Sequence, residues 1–218
     1  MVISAAHGDA PQRWHAANTV VAHAEVAGRI GPNAITRVAE ALRERLGEEE
    51  TADVFRAAGL ATYLTSAPEA MVVEEEVARL QAQLRASLGA TLAADISRDA
   101  GRRTGDYLLA HRIPKLAQFV LKWLPPATAA KILANAIGRH AWTFAGSGTF
   151  SFAPGRPFGL SIGGCPLCRD VHATQSACDY YAATFERIFT ALVSRRSVVT
   201  ETDCIASGGD ACRFRVDW

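Results

Sequence analysis

Several absences from the sequence limit what the protein can be. Its 218 residues carry 23 basic and 22 acidic side chains, so the basic surplus by which nucleic-acid-binding proteins neutralise phosphates is missing. No apolar run approaches the roughly 20 residues of a membrane-spanning helix. Residues 1–14 lack the charged start and apolar stretch of a secretory signal. These absences predict a cytoplasmic protein with no transmembrane segment and no nucleic-acid partner.

Complete motifs for redox cofactors are missing as well. Gly146-Ser147-Gly148 is only a fragment of a dinucleotide-binding fingerprint, without a third glycine and without a clear helix after it. The chain has no Walker motif, and its cysteine spacing matches no ferredoxin-type run. The residues therefore give no positive indication of a nicotinamide, flavin or iron–sulfur cofactor.

Helical patterns fill the first two-thirds of the chain. Residues 1–31 show weak periodicity and are predicted to form an irregular lead-in. Beyond Pro32, apolar residues recur at intervals of three or four. This spacing predicts a helix that carries Ile35 to Leu46, further helices near 51–63, 69–92 and 94–111, and two short helices bounded by Pro114 and by Pro125-Pro126.

The pattern changes to strands at residue 141. Aromatic and β-branched residues predict strands at 142–152, 158–162, 197–205 and 212–216, with one long helix near 173–193. Helices first and strands later indicate an α+β fold rather than a doubly wound sheet. We expect one domain, 32–218, in which a helical part (32–140) packs on a small antiparallel sheet part (141–218).

All five cysteines lie between Cys165 and Cys212. In a reducing compartment such clustering indicates metal ligands or core thiols rather than disulfides. If 207–209 forms a three-residue hairpin loop, Cys204 faces Cys212 across two strands, with Cβ atoms roughly 4.5–5.5 Å apart. The apolar stripe of the last helix would point Cys178 towards the same sheet. Three thiolates and one carboxylate would then complete a closed tetrahedral zinc site.

Glu201 is the candidate carboxylate, and it raises a geometric difficulty. In a regular strand Glu201 and Cys204 point to opposite faces, so both reach one ion only if the strand bends, bulges or ends near Asp203. The alternative is that Cys178 is a buried small hydrophobe and that Cys204 and Cys212 pair by chance.

Cys165-Pro166-Leu167-Cys168 is a separate CxxC motif. It is compatible with a redox pair, with half of a metal site, or with a loop that carries two incidental thiols. No βαβ unit is apparent around it, so a thioredoxin-like role is not favoured.

The segment from Cys178-Asp-Tyr-Tyr through Glu201-Thr-Asp-Cys204 to Cys212-Arg-Phe resembles the 4-vinyl reductase domain. That domain also occurs in the sensory modules of phenol-responsive activators, and it looks related to vesicle-tethering complex subunits. In the phenol-sensing relatives three cysteines and a glutamate hold a structural zinc ion. The resemblance implies Cys178, Glu201, Cys204 and Cys212 as the ligands here, whereas Cys165 and Cys168 match none.

Across its length the chain looks like the bacteriochlorophyll 4-vinyl reductase proteins of photosynthetic bacteria. The family name implies reduction of a vinyl group, with NADPH as the cofactor if that name is literal. A closed zinc site has no open position for catalysis, however. The residues favour a carrier or assembly factor that binds a magnesium tetrapyrrole and works with other bacteriochlorophyll biosynthesis enzymes. The reductase itself is the first alternative, and a small-molecule-sensing or protein-interaction module is the second.

The helical part supplies a candidate pigment site. A macrocycle would use apolar walls, cations for its carboxylates and an imidazole for magnesium. The residues predicted on this basis are Tyr107, His111, Arg112, Leu116, Phe119, Trp123 and His140. The alternative is that these apolar residues are ordinary core and the charges a solvated face. The apolar stripes of the first and third helices also predict a homodimer.

Overall fold

A computed structural model describes residues 28–169 and 171–218 of the protein. Most of the predicted lead-in, residues 1–27, lies outside the described part. Its described end includes strand β1 (Arg29–Ile30), which pairs antiparallel with β2 (Val72–Val73). This short ribbon leads directly into the longest helix of the described residues.

Eight α-helices occupy much of the described chain. They are α1 (Asn33–Leu46), α2 (Glu48–Ala57), α3 (Thr62–Thr65), α4 (Glu74–His111), α5 (Lys115–Trp123), α6 (Pro126–Arg139), α7 (Trp142–Ala145) and α8 (Asp179–Leu192). The predicted helix 51–63 is therefore two helices, because Gly59 takes a positive φ of 72° between them. The prediction that 142–145 begins a strand is wrong, since these residues form α7.

Helix α4 contains the break that the sequence places between two helices. The backbone is non-helical at Gly89, with φ 76° and ψ 164°, so two helical segments meet there. The break comes earlier than the predicted 92–94 because only glycine adopts this conformation without strain. Gly101 and Gly105, by contrast, lie within continuous helix.

Four antiparallel strands form the main sheet in the order β3-β4-β6-β5. Their bounds are β3 (Thr149–Ala153), β4 (Phe158–Gly163), β5 (Val198–Asp203) and β6 (Ala211–Asp217). Helix α8 packs between the sheet and α4, and its Phe185 ring lies edge-on to Phe214 of β6 at 5.5 Å. The α+β prediction, a mainly helical chain with a small antiparallel sheet and one helix among its strands, is confirmed.

The apolar stripes from which a homodimer is predicted are used within the chain. Val38 and Leu42 of α1 and Val77 and Leu80 of α4 are fully buried in one core where these two helices pack together. A homodimer therefore stays a prediction that needs a different surface. Among the described residues, no helix combines the length and apolar character that a membrane crossing requires.

Candidate metal centre

Cys178 lies immediately before α8 rather than inside it. The predicted start of this helix near 173 is wrong, because helical geometry begins at Asp179. The Cys178 thiol is nevertheless fully buried, and its backbone N–H donates to Glu201 Oε2 at 2.9 Å. This hydrogen bond joins the start of α8 to strand β5.

A β-bulge resolves the geometric difficulty at Glu201. The register between β5 and β6 shifts between Glu201 and Asp203, and β5 ends at Asp203. The bend brings Glu201 and Cys204 to the same side, which a regular strand would not allow. Sequence reasoning named this condition, and the described strand meets it.

The loop after β5 is longer than the predicted three-residue hairpin. Residues 204–210 separate the two strands and include a short 3₁₀ turn, Ile205–Ser207. The Cys204 carbonyl accepts backbone hydrogen bonds from Ser207 and Gly209 at 3.1 and 2.9 Å. The prediction that Cys204 directly faces Cys212 in a regular ladder is wrong, yet their sulfur atoms lie 3.8 Å apart.

The four sequence-predicted ligands converge. One ligand atom from each of Cys178, Glu201, Cys204 and Cys212 lies within 4.8 Å of the others, and the Cys178 and Cys212 sulfurs are 3.4 Å apart. Sulfur atoms that share one tetrahedral zinc at about 2.3 Å lie about 3.8 Å from one another. The donor types and spacing therefore fit a zinc-class ion.

Cys165 and Cys168 join the same cluster, which sequence reasoning missed. They flank a 3₁₀ turn, Pro166–Cys168, that follows β4. Cys165 Sγ lies 3.4 Å from Cys178 Sγ, and Cys168 Sγ lies 3.2 Å from Cys212 Sγ. The missing signal was strand order: β4 pairs with β6 so that Gly163 faces Ala211, which places the CxxC motif beside Cys212.

Helix α4 supports the loops on both sides of the centre. The Glu74 carboxylate is buried and accepts hydrogen bonds from Arg169 Nη1 at 2.6 Å and from the Ser147 backbone N–H at 2.7 Å. Further along α4, Arg85 donates to the Ala177 carbonyl. Arg169 follows Cys168 and Ala177 precedes Cys178, so α4 positions both segments. The Gly146–Gly148 turn thus serves this network.

The electrostatics of the centre favour a cation. All five thiols are fully buried, and Glu201 Oε1 is buried without a hydrogen-bond partner among the described residues. Burial, and then the charge of Cys204, raises the pKa of Glu201 to about 9. Neighbouring thiols, and then burial, raise the pKa of Cys178 well above its usual value. Without a cation these groups cannot all ionise together, and a divalent ion removes that conflict.

Cys204 is the thiol that ionises most readily among those with resolved moderate shifts. Its contact with Cys168 would raise the pKa, but hydrogen bonds from Cys178 and Cys212 outweigh that contact and lower the pKa of Cys204 to about 6. A thiolate at neutral pH is the form that binds a metal ion.

The predicted pigment-site residues lie on and near the surface formed by α5. Leu116, Phe119 and Trp123 share one face of this helix and are 75%, 60% and 78% exposed. Tyr107 contacts the His111 ring, with centroids 4.8 Å apart, and the Arg112 guanidinium lies 5.9 Å from the Tyr107 ring. His140 is exposed at the end of α6, where its Nδ1 lies 3.0 Å from the Ala136 carbonyl.

The opposite face of α5 holds the helix in place. Gln118 is buried and donates to the carbonyls of Leu109 and Ile113 at 2.5 and 2.8 Å, and Leu121 is also buried. The exposed apolar ridge of Leu116, Phe119, Val120 and Trp123, hereafter the α5 ridge, is therefore a surface on an anchored helix.

Comparison with known proteins identifies the family. Residues 159–217, which include all six residues of the centre, match the 4-vinyl reductase domain. A bacteriochlorophyll synthase 23 kDa chain from Cereibacter sphaeroides is 40% identical over 192 residues, 88% of this chain and 91% of that protein. A protein of the same name from Rhodobacter capsulatus is 38% identical over 186 residues, 85% of each chain. The chain belongs to the bacteriochlorophyll synthase 23 kDa chain family.

Solved structures extend the likeness of this bacteriochlorophyll synthase 23 kDa chain family member beyond the 4-vinyl reductase domain. An Fe(II) unliganded H-NOX protein from K. algicida aligns with a TM-score of 0.58 at 13% identity, covering 86% of this chain and 96% of that one. A second H-NOX structure, from work on heme distortion, aligns with a TM-score of 0.55 at 12% identity, covering 87% and 95%. At these identities the likeness shows a shared fold and nothing further.

Proposed function

We propose that this chain acts in bacteriochlorophyll biosynthesis as a carrier or assembly factor that binds a magnesium tetrapyrrole intermediate for vinyl reduction. The intermediate is of the divinyl protochlorophyllide, chlorophyllide or Mg-protoporphyrin type. The name and coverage of the relatives support the pathway, since both match at least 85% of this chain. Other enzymes of the pathway are then its protein partners, and the chain works as a homodimer.

The metal centre has a structural role in this proposal. Cys178, Glu201, Cys204 and Cys212 offer four protein ligands to one zinc ion, which leaves no open coordination position for substrate. The ion would join the start of α8 to the loop after β5. Zinc here stabilises the fold on which α4 and α5 rest, and the chemistry of vinyl reduction lies elsewhere.

The α5 ridge is the observation that carries pigment binding. Large exposed apolar patches mark interaction sites, and this one combines aromatic and aliphatic side chains on one helix face. No acidic residue occurs between Asp106 and Asp170, whereas five lysines and arginines occur in residues 107–140. A planar macrocycle with carboxylates suits an apolar ridge flanked by cations. H-NOX proteins, whose fold this chain shares, hold a heme, which motivates testing a tetrapyrrole ligand.

Titration with Mg-protoporphyrin tests this assignment. We expect saturable shifts of the pigment absorbance bands and quenching of Trp123 fluorescence, with a Kd below about 100 μM. Phe119→Ser should weaken binding at least tenfold, because it removes apolar contact area from the ridge. Val198→Ser is the matched control, since Val198 is also exposed but lies on β5. Binding that is absent, or equally strong in both variants, would contradict the assignment.

A self-sufficient reductase is the alternative function. It requires that the protein itself bind NADPH and bring the nicotinamide to the vinyl group. The family resemblance favours this alternative by name. The four-ligand character of the metal centre favours the carrier.

A further inference from the structure

Two complete sets of metal ligands overlap in the cysteine cluster. One set is Cys178, Glu201, Cys204 and Cys212, and the other is Cys165, Cys168, Cys178 and Cys212. Within each set the ligand atoms lie within 4.8 Å of one another. The sets share two thiols, Cys178 and Cys212, and each set adds two ligands of its own.

The sulfur positions follow the pattern of two tetrahedra that share an edge. The shared edge is the 3.4 Å separation of the Cys178 and Cys212 sulfurs. On one side Cys165 and Cys168 lie 3.4 and 3.2 Å from the nearer shared sulfur. On the other side Cys204 lies 3.8 Å from Cys212. These separations suit thiolates bound to common ions, with tetrahedral edges of about 3.8 Å.

We propose that the centre binds two zinc-class ions bridged by the thiolates of Cys178 and Cys212. Cys165 and Cys168 complete the coordination of the first ion, and Glu201 and Cys204 complete that of the second. This inference rests on the proposed structural zinc and adds to it a second ion and two ligands.

A single ion would leave an unfavourable remainder whichever set it occupied. In the four-thiolate set, the ion leaves the buried Glu201 carboxylate without a cation, and its Oε1 has no partner among the described residues. A buried charge without a partner is strongly unfavourable. In the other set, the ion leaves Cys165 and Cys168 buried against bound thiolates. Two ions use all six donors.

The charge balance also supports two ions. Five thiolates and one carboxylate carry six negative charges, of which two divalent cations neutralise four. The remaining excess equals that of a single zinc bound by four thiolates, which is a common structural site. An iron–sulfur cluster fits the spacing less well, because each of its thiolates binds a different iron atom and the thiolates lie further apart.

The CxxC segment is held in place for this role. The Arg169 guanidinium, next to Cys168, donates to Glu74 Oε1 and to Ser147 Oγ at 2.6 and 2.9 Å. The turn that carries Cys165 and Cys168 is therefore anchored to α4 independently of any metal. Such anchoring lowers the entropy that metal binding must overcome.

Native mass spectrometry of the full-length protein, made in zinc-supplemented medium without a metal-affinity tag, tests the proposal. We expect two zinc ions per chain in the wild type. Cys165→Ser/Cys168→Ser should retain one ion, and so should Glu201→Gln/Cys204→Ser. For the wild type loaded with cadmium, ¹¹³Cd NMR should show two resonances, one typical of four sulfur ligands and one typical of three sulfurs and an oxygen. This spectrum needs no variant to fold.

The other outcomes are distinct. One zinc in the wild type, retained by Cys165→Ser/Cys168→Ser, overturns the second ion and leaves the proposed structural zinc standing. One zinc that this double variant loses overturns both the second ion and the assignment of Glu201 as a ligand. Protein that folds without zinc overturns both proposals, and so does a Cys165–Cys168 disulfide or iron with inorganic sulfide in place of zinc.

Discussion

At the scale of single residues, the centre depends on a bulge that brings two side chains to one side of a strand. Without the register shift between Glu201 and Asp203, Glu201 and Cys204 would face opposite sides of the sheet. The bulge explains how a glutamate three residues before a cysteine can share its ion. Sequence reasoning could state this condition, but it could not show that the bulge occurs.

Cys212→Ser is expected to be the most destabilising of the cysteine substitutions. Cys212 contributes to both ligand sets, and in structural metal sites the binding free energy is folding free energy. We expect a loss of several kcal/mol in the free energy of unfolding, measured by urea denaturation. Ala206→Ser, at a buried position of the nearby loop, is the control and should cost much less. The metal account fails if a strong chelator destabilises wild type and Cys212→Ser equally.

Glu74 is expected to make stability depend on pH in the acidic range. Burial alone would raise the pKa of Glu74, but hydrogen bonds from Ser147 and Arg169 outweigh burial and lower it below its usual 4.5. A depressed pKa in the folded state contributes stability above the unfolded pKa, and this contribution is lost as pH falls through the folded pKa. Glu74→Gln should therefore cost about 1–3 kcal/mol at pH 7 and progressively less below pH 4.5.

Glu75→Gln is the matched control for this effect, because Glu75 is exposed on the same turn of α4. Urea denaturation of wild type and both variants between pH 3.5 and 7 gives the comparison. A Glu74→Gln deficit that does not change with pH would contradict the role of the charged carboxylate.

At the scale of secondary structure, α4 and α8 approach closely because α4 has glycines at their contact. A Cβ at Gly101 would lie 2.3 Å from the Tyr180 carbonyl oxygen, and one at Gly105 would lie 2.7 Å from Arg187 Cβ. The Thr184 hydroxyl also donates to the Gly101 carbonyl at 3.1 Å. Since α8 begins next to Cys178, this contact also sets the position of the metal centre.

Gly101→Ala should force α8 away from α4 and lower the free energy of unfolding by about 1–3 kcal/mol, a typical cost of overpacking. The same substitution should weaken zinc retention in a chelator competition, because the start of α8 moves with the helix. Ala90→Ser adds one atom at an exposed position of α4 and serves as the control. Equal stability of Gly101→Ala and wild type would show that the helices tolerate a wider separation.

The sequence predicted some elements better than others for physical reasons. The apolar stripe of α8 and the strands 158–162 and 212–216 follow from periodicity, which directly reflects burial. The start of α8 at Asp179 depends on the hydrogen bond between Cys178 and Glu201, which periodicity does not contain. The location of Cys165 next to Cys178 depends on β4 pairing with β6, a long-range contact.

The pigment-site residues show a second limit. The spacing of Leu116, Phe119 and Trp123 correctly places them on one face of a helix. Periodicity does not state whether that face meets the core or the surface, and here the buried face is that of Gln118 and Leu121. Exposure became visible only when the positions of the other helices were known.

At the scale of the whole molecule, α4 connects the proposed structural and binding parts. Its first half positions the segments that carry Cys168 and Cys178, and its far end leads into α5 and the exposed ridge. We therefore expect Cys212→Ser to weaken both zinc retention and pigment binding, whereas Phe119→Ser should weaken pigment binding alone. Zinc analysis and pigment titration of the two variants provide the comparison.

The measurement that tests the central claim most directly is pigment analysis of the protein-bound fraction. Purified, zinc-loaded protein is incubated with divinyl protochlorophyllide and NADPH, separated from free pigment by gel filtration, and the bound pigment is extracted. A carrier or assembly factor should retain pigment whose vinyl group is unchanged. Ethyl product in excess of one equivalent per chain would instead establish the protein as the reductase, and a fraction without pigment would contradict tetrapyrrole binding altogether.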